Sequence, residues 1–334
     1  MNALLAALRA LWAGEEVPYE AVLGREGSER EVRELISKLW VKCYPIGSKR
    51  LCVYSYKRPP REPVPLLLDA RGTVIEWSRD GPELVAYPFH KFFNVGEASF
   101  PERPLVAYEK LDGTMVSLFY YDGELRAATR KRLDADSPFA KKALELFEGE
   151  ARVEGRTVVF ELLGPGCGSP WVGGDQGLLG ESRWKLVPLA YRDMRTLELY
   201  PLEGPRRVEV ESLEEARRKA EEFGEGLVLW FEVGKQRPLM AKVKSAKYQN
   251  LVETLKLGWE GLAKVIVQNK LDDAARFLKE EVYKRAKEVE AKLDEIERAV
   301  RSGSFPDEAV KEWLLIDPSR ALEEAVRVCL ERGC

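Results

Sequence analysis

Short strand-like runs fill the chain from about residue 41 to about residue 250, and none follows. That single change of pattern constrains the fold more than any other feature. Residues 51–56, 66–69, 72–77, 83–87, 105–109, 114–121, 124–129, 157–163, 185–191, 226–232 and 239–243 are β-branched or aromatic runs. Gly, Pro and Asp punctuate them. Residues 116–121 and 125–129 flank Asp122-Gly123, a hairpin signal. The first 40 residues read as helical, with Ser28 and Glu31 forming a capping box for a helix through Trp40. A second box, Ser212 and Glu215, opens a helix to Phe223 that Gly224 stops. Beyond Asn250 the apolar spacing becomes helical over 251–268, 272–301, 306–315 and 318–332. Pro306 and Pro318 suit first turns, and Gly303 and Gly333 suit helix ends. The predicted class is α+β: a sheet-rich domain over 1–250 and an all-helical domain over 251–334.

Composition narrows the chemistry. The 334 residues carry 53 Lys+Arg against 56 Asp+Glu, a net charge of −3, so a nucleic-acid site must be a local basic patch. The one histidine, His90, excludes two-His metal sites and paired-His phosphoesterases, and is read as structural or surface rather than catalytic. The five cysteines contain no CxxC, which predicts reduced thiols in a cytoplasmic protein rather than zinc ligands or a disulfide framework. The apolar start at residues 2–13 is short and carries Arg9, so neither a leader nor a membrane span is expected. Scarce Asn and Gln beside abundant Glu, Arg and Lys is a bias of proteins from hot environments.

The most informative stretch is Lys110-Leu111-Asp112-Gly113, set between two apolar runs. Alone it is a weak signal, arising by chance in roughly one chain in ten of this length. A surface β-turn with Gly113 at φ > 0 explains it equally well. It has company in fixed order, however: Tyr54-Ser55-Tyr56, Ala70-Arg71-Gly72, Lys91-Phe92-Phe93-Asn94, then Phe160-Glu161, Glu225-Gly226, and Lys242-Val243-Lys244-Ser245-Ala246-Lys247-Tyr248. Across residues 50–250 this set resembles the phage-type ATP-dependent RNA ligases (RNA ligase 1-like), which repair cleaved tRNA. They form a branch of the covalent nucleotidyltransferase superfamily of ligases and capping enzymes.

The resemblance implies an adenylation domain over 1–250, and ATP and Mg²⁺ (or Mn²⁺) as the reactants' companions. It implies Lys110 as the adenylated nucleophile, Glu161 on the ribose, and Glu225 in a metal or reactive-phosphate role. Lys242 and Lys244 would hold the α-phosphate, and Arg71 and Lys91 the β- and γ-phosphates. Tyr56 matches a nucleotide-contact tyrosine, Arg130 a basic residue near the ribose or substrate phosphate, and Tyr248 a tyrosine needed for ligation. Asp272 or Asp273 is either an extra metal carboxylate or, for Asp272, a helix N-cap. The amine must be neutral to attack, so its ordinary pKa of about 10.4 must fall, with Lys242 and Lys244 as the neighbours that would lower it. Phe92 and Phe93 either stack on a base or alternate between core and surface.

The implied reaction joins an RNA 5′-phosphate to a 3′-hydroxyl through lysyl-AMP, with RNA as the partner and no membrane or protein partner expected. Two basic clusters suit RNA: residues 233–252, which hold Lys235, Arg237, Lys242, Lys244 and Lys247 without an acid, and Arg126 with Arg130, Lys131 and Arg132. The chain departs from the family at Gly166-Cys167-Gly168-Ser169-Pro170, where the phage enzymes carry an Asn-Arg pair linked to the later steps. The alternatives are a DNA ligase, a capping-type guanylyltransferase, or a non-catalytic RNA-binding protein of the same fold. Helices rather than an OB-fold-like strand set follow the Lys-x-Lys motif, which argues against the first two.

Overall fold

The computed structural model describes residues 1–57, 60, 62–149, 153–164, 167, 184–255, 258–268, 271, 278 and 280–333. Its strands form three sheets. The first is an antiparallel meander of β1 (Leu39–Ile46), β2 (Lys49–Tyr56), β3 (Thr73–Ser78) and β4 (Gly81–Ala86). The second runs in the order β11-β10-β9-β7-β8, from β7 (Thr114–Tyr121), β8 (Glu124–Thr129), β9 (Arg156–Leu163), β10 (Lys185–Asp193) and β11 (Leu199–Pro201). The third has the order β12-β6-β13-β14-β5, from β5 (Phe93–Asn94), β6 (Val106–Glu109), β12 (Arg207–Val208), β13 (Gly226–Trp230) and β14 (Met240–Lys244). β5 pairs in parallel with β14.

Alternation assigns each strand face. In β6, β13 and β14, Ala107, Leu227, Leu229, Ala241 and Val243 pack toward α6 (Leu213–Ala220). Tyr108, Trp230 and Met240 face the other way, onto Val159 and Ala190 of the second sheet. The two sheets therefore share an apolar floor, and the period of two puts Lys242 and Lys244 on the same side as Met240. The opposite face of the second sheet packs on α5 (Pro138–Leu146) through Phe160, Leu162 and Ala143. Helices α1 (Ala3–Ala13), α2 (Tyr19–Leu23) and α3 (Glu29–Ser37) cover the first sheet.

After β14, every element among the described residues is helical: α7 (Ala246–Leu255), α8 (Trp259–Val267), α9 (Glu280–Ala291), α10 (Leu293–Arg301), α11 (Glu308–Ile316) and α12 (Pro318–Arg332). They enclose a core of their own that includes Leu262, Ile266, Ile296, Val326 and Leu330, and into which Tyr248 reaches.

Several expectations need correction. The α3 helix ends at Ser37 rather than Trp40, because Leu39–Ile46 is captured as β1 by eight-residue pairing with β2. Residues 66–69 form a helix, α4 (Pro65–Asp69), not a strand. Pro65 opens it, and the buried Asp69 carboxylate accepts from Ala3 N at 2.6 Å and from Arg237 Nε at 2.8 Å. The helix expected over 251–268 is two, parted at Gly258, whose φ is 68°. Pro306 precedes α11, and Asp307 is the N-cap.

The thiol expectation is also overturned. Strand pairing sets Cys43 directly opposite Cys52, with Cα atoms 4.0 Å apart, and the two form a disulfide. Cys329 is disulfide-bonded as well. Register, not motif spacing, brings Cys43 and Cys52 together, so a search for CxxC does not reveal that pair. No helix among the described residues is long and apolar enough to cross a membrane.

Candidate active site

A cleft of about 190 Å³ opens between the second and third sheets. Its charged lining is Arg71, Glu109, Lys110, Glu161, Glu225, Lys242 and Lys244, and its aromatic lining is Phe89, Phe92, Tyr108 and Trp230. Lys110 is the first residue after β6, and its backbone N donates to Gly226 O at 2.8 Å. This sets it beside Glu225, the residue just before β13. Two glycines permit the arrangement. A Cβ on Gly226 would stand 2.0 Å from Val243 O, and one on Gly113 would stand 2.5 Å from Leu162 O. Gly113 is thus required for close approach to β9, and it is not among the residues of positive φ that a surface turn would have used.

The Lys110 ammonium donates to Glu225 Oε2 and forms an ion pair with it; Lys244 Nζ lies 3.2 Å from Glu225 Oε1. Burial pulls the Lys110 pKa down, but Glu225, Glu161 and Asp112 together outweigh burial and hold it above the ordinary value. In the free protein the amine is therefore kept charged. Burial lifts Glu225, and Lys110 and Lys244 more than reverse this, so it stays ionised. Lys242 is depressed, brought to about 7 by burial and then by Arg71, Lys110, Lys91 and Lys244. Glu161 is pushed up to about 7, chiefly by burial, while its Oε1 accepts from Gly113 N at 3.0 Å. Burial and Glu225 raise Asp112 to about 6, against a 2.8 Å hydrogen bond from Tyr248 Oη.

The structure thus gathers Lys110, Glu161, Glu225, Lys242, Lys244 and Arg71 in one cleft, with Tyr248 at its back through Asp112. Lys91 is buried just behind, its Nζ 3.9 Å from the Phe93 ring centroid and 4.0 Å from Glu97. Phe92 lines the cleft and packs against its apolar floor, and Phe93 does neither. Tyr56 and Arg130 meet each other, with the guanidinium 5.6 Å from the ring centroid, and neither lines the cleft. Tyr56 instead packs among buried residues under α1. Asp272 and Asp273, and most of 166–170, lie outside the described residues. Among the described residues, no group of three or more His, Cys, Asp and Glu is poised for a metal.

The basic stretch 233–252 is largely neutralised. Lys235 pairs with Glu232, Arg237 with Asp69 and Lys244 with Glu225. His90 is buried and held neutral, its pKa brought down to about 3 by burial and three arginines, which suits a structural role. Sequence reasoning missed Phe89, Glu109, Met115 and Trp230 as cleft residues; of these only Trp230 lies on the strand face that Met240 and Lys242 mark by alternation. It also missed the Tyr248–Asp112 bond, for which no spacing rule exists.

Comparison with known proteins finds similarity to RNA ligases. Residues 69–163 match the sequence model of the RNA ligase family. A protein of Thermovibrio ammonificans with a provisional RNA ligase name is 30% identical over 224 residues, covering 58% of this chain and 56% of its own. RNA ligase 1 of bacteriophage TS2126 is 35% identical over 97 residues, 26% of this chain and 24% of its own. The chain therefore spans about half the length of the first relative and about a quarter of the second. A solved archaeal ATP-dependent RNA ligase superposes with a TM-score of 0.48 at 15% identity, covering 96% of this chain and all of that one. Over these stretches the chain is similar to RNA ligases.

Proposed function

We propose that this protein is an ATP-dependent RNA ligase that adenylates itself on Lys110 and seals a 5′-phosphate to a 3′-hydroxyl in RNA. One observation carries the reading: an ion-paired lysine stands in a cleft whose other charges match a nucleotide triphosphate. Arg71, Lys242 and Lys244 supply cations for phosphates, Glu161 supplies an acceptor for ribose hydroxyls, and Phe92 and Trp230 supply apolar walls for a base. On this reading residues 1–250 form the adenylation domain and 251–334 the helical one.

Lys110 Nζ attacks the α-phosphorus of ATP. An N–P bond forms, the Pα–O bond to pyrophosphate breaks, and its electron pair leaves with pyrophosphate. The nearest acceptor for the amine proton is the Glu225 carboxylate, already hydrogen-bonded to Nζ. Lys242, near neutral in the free protein, takes up a proton as phosphate charge arrives and then neutralises charge on the α-phosphate. Arg71 steadies the leaving pyrophosphate. Glu225 fits a divalent ion, since Mg²⁺ binds through one or two carboxylates together with substrate phosphates. Such an ion supplies charge neutralisation on the phosphates. In the second step the AMP passes to an RNA 5′-phosphate, and in the third a 3′-hydroxyl displaces it.

Incubation with α-labelled ATP and a divalent metal tests the reading. The expected result is an acid-stable label that Lys110→Ala abolishes and that 5′-phosphorylated single-stranded RNA discharges as circles. Label from GTP alone points to capping chemistry. Absence of label from a folded protein refutes the proposal.

A further inference from the structure

We propose that Trp40, with Lys131 beside it, is a stacking platform for the single-stranded RNA that extends from the cleft. The inference rests on the proposed ligation for its substrate. Trp40 sits on β1, the edge strand of the first sheet, and 37% of it is exposed, as is 42% of the neighbouring Val41. An exposed indole next to unpaired cations is a feature that folding alone does not require. Lys131 Nζ stands 5.0 Å from the Trp40 ring centroid.

The charges around this ring are uneven. The two carboxylates nearby are already occupied: Asp134 holds Arg126 through two hydrogen bonds of 2.8 and 2.6 Å, and Asp136 holds Lys42. Among the described residues, Arg130, Lys131 and Arg132 form no ion pair with any acid, and Arg130 and Arg132 are exposed. Arg130 and Arg132 therefore face water, with the half-buried Lys131 between them, beside an exposed aromatic ring. A polyanion with splayed bases complements both features at once, the phosphates meeting the cations and a base meeting the indole.

The platform adjoins the cleft. Arg71 lines it, and the next residue, Gly72, is so close to Arg130 that a Cβ there would stand 3.2 Å from Arg130 Cα. Arg130, and with it Lys131 and Trp40, therefore lies on the side of the cleft that Arg71 lines. The platform is also held firmly. Trp40 pairs with Ser55 on β2, and three residues along the Cys43–Cys52 disulfide joins the same two strands. A ring fixed in this way loses little freedom when a base stacks on it.

The test uses the full chain and two separate readings. One is fluorescence-anisotropy binding of a 5′-phosphorylated 14-nucleotide single-stranded RNA, and the other is labelling by α-labelled ATP. Trp40→Ala is expected to weaken RNA binding about tenfold, with Trp40→Phe recovering most of it. Lys131→Ala is expected to weaken binding a few-fold and to reduce the salt slope by about 0.7. ATP labelling is expected to stay at the parent level in all three, which also shows that the variants fold. Parent-level RNA affinity in Trp40→Ala overturns the platform, as does equal competition by an RNA duplex. Loss of labelling in the parent protein refutes the ligase reading instead, and Trp40-dependent RNA binding then stands without it.

Discussion

Gly113→Ala tests the link between backbone geometry and chemistry. The added Cβ would stand 2.5 Å from Leu162 O, 2.8 Å from Leu163 Cδ2 and 2.9 Å from Glu161 Cγ. Leu162 O belongs to β9, which is paired on both sides, so that atom cannot swing away as a side-chain end does. Ordinary contact requires about 1 Å more, and the loop carrying Lys110 must supply it. The shift also breaks the 3.0 Å bond from Gly113 N to Glu161 Oε1, a hydrogen bond to a charged group worth about 1.5–3 kcal/mol. A displacement of about 1 Å at a reacting centre costs on the order of 100-fold in rate. We expect Gly113→Ala to lose about 100-fold in lysyl-AMP formation, measured by single-turnover labelling, with secondary structure retained by circular dichroism. The control is Gly123→Ala in the β7–β8 turn, where a Cβ meets nothing within 4 Å and φ is 80°. It is expected to cost about 1 kcal/mol of stability and to leave labelling unchanged. Labelling of Gly113→Ala within threefold of the parent would refute the close-approach argument.

Three further outcomes follow from the geometry. Lys242 is depressed to about 7 in the folded chain, so between that pH and the ordinary lysine range the unfolded chain binds more protons and stability rises with pH. Lys242→Met is expected to remove this rise in denaturant titrations, together with the proton uptake that accompanies ATP binding at pH 8 in calorimetry with buffers of different ionisation enthalpy. Tyr248→Phe removes a hydrogen bond to the Asp112 carboxylate, so the Asp112 pKa, now about 6, is expected to rise by about 1 unit. The acid limb of the labelling–pH profile reads that shift, and an unmoved limb counts against it. Cys43→Ser opens a loop of nine residues' separation and is expected to cost about 2.5 kcal/mol of stability. Thermal unfolding with and without reductant measures it, and a reductant-insensitive parent protein would contradict the bridge.

The hairpin at Asp122-Gly123, the α6 cap at Ser212 and the last helix, α12, were legible in the sequence because each is set by local rules. The sequence by itself also marked five of the charged groups that the cleft gathers. Lys110, Glu161, Glu225, Lys242 and Lys244 are motif residues in a fixed order, and their chemistry is intrinsic to their side chains. What only the tertiary structure decided is how these groups are charged and what surrounds them. Lys110 is held protonated because three carboxylates from separate segments converge on it, whereas Lys242 is close to neutral because burial and four cations converge there. Similarly, residues 66–69 are a helix because Asp69 answers Ala3 and Arg237, far away in the chain, and β1 displaces the end of α3 by pairing with β2. Local propensity acts over a few residues, but electrostatic fields, strand register and burial depend on which distant segments meet, and those meetings exist only in the folded chain.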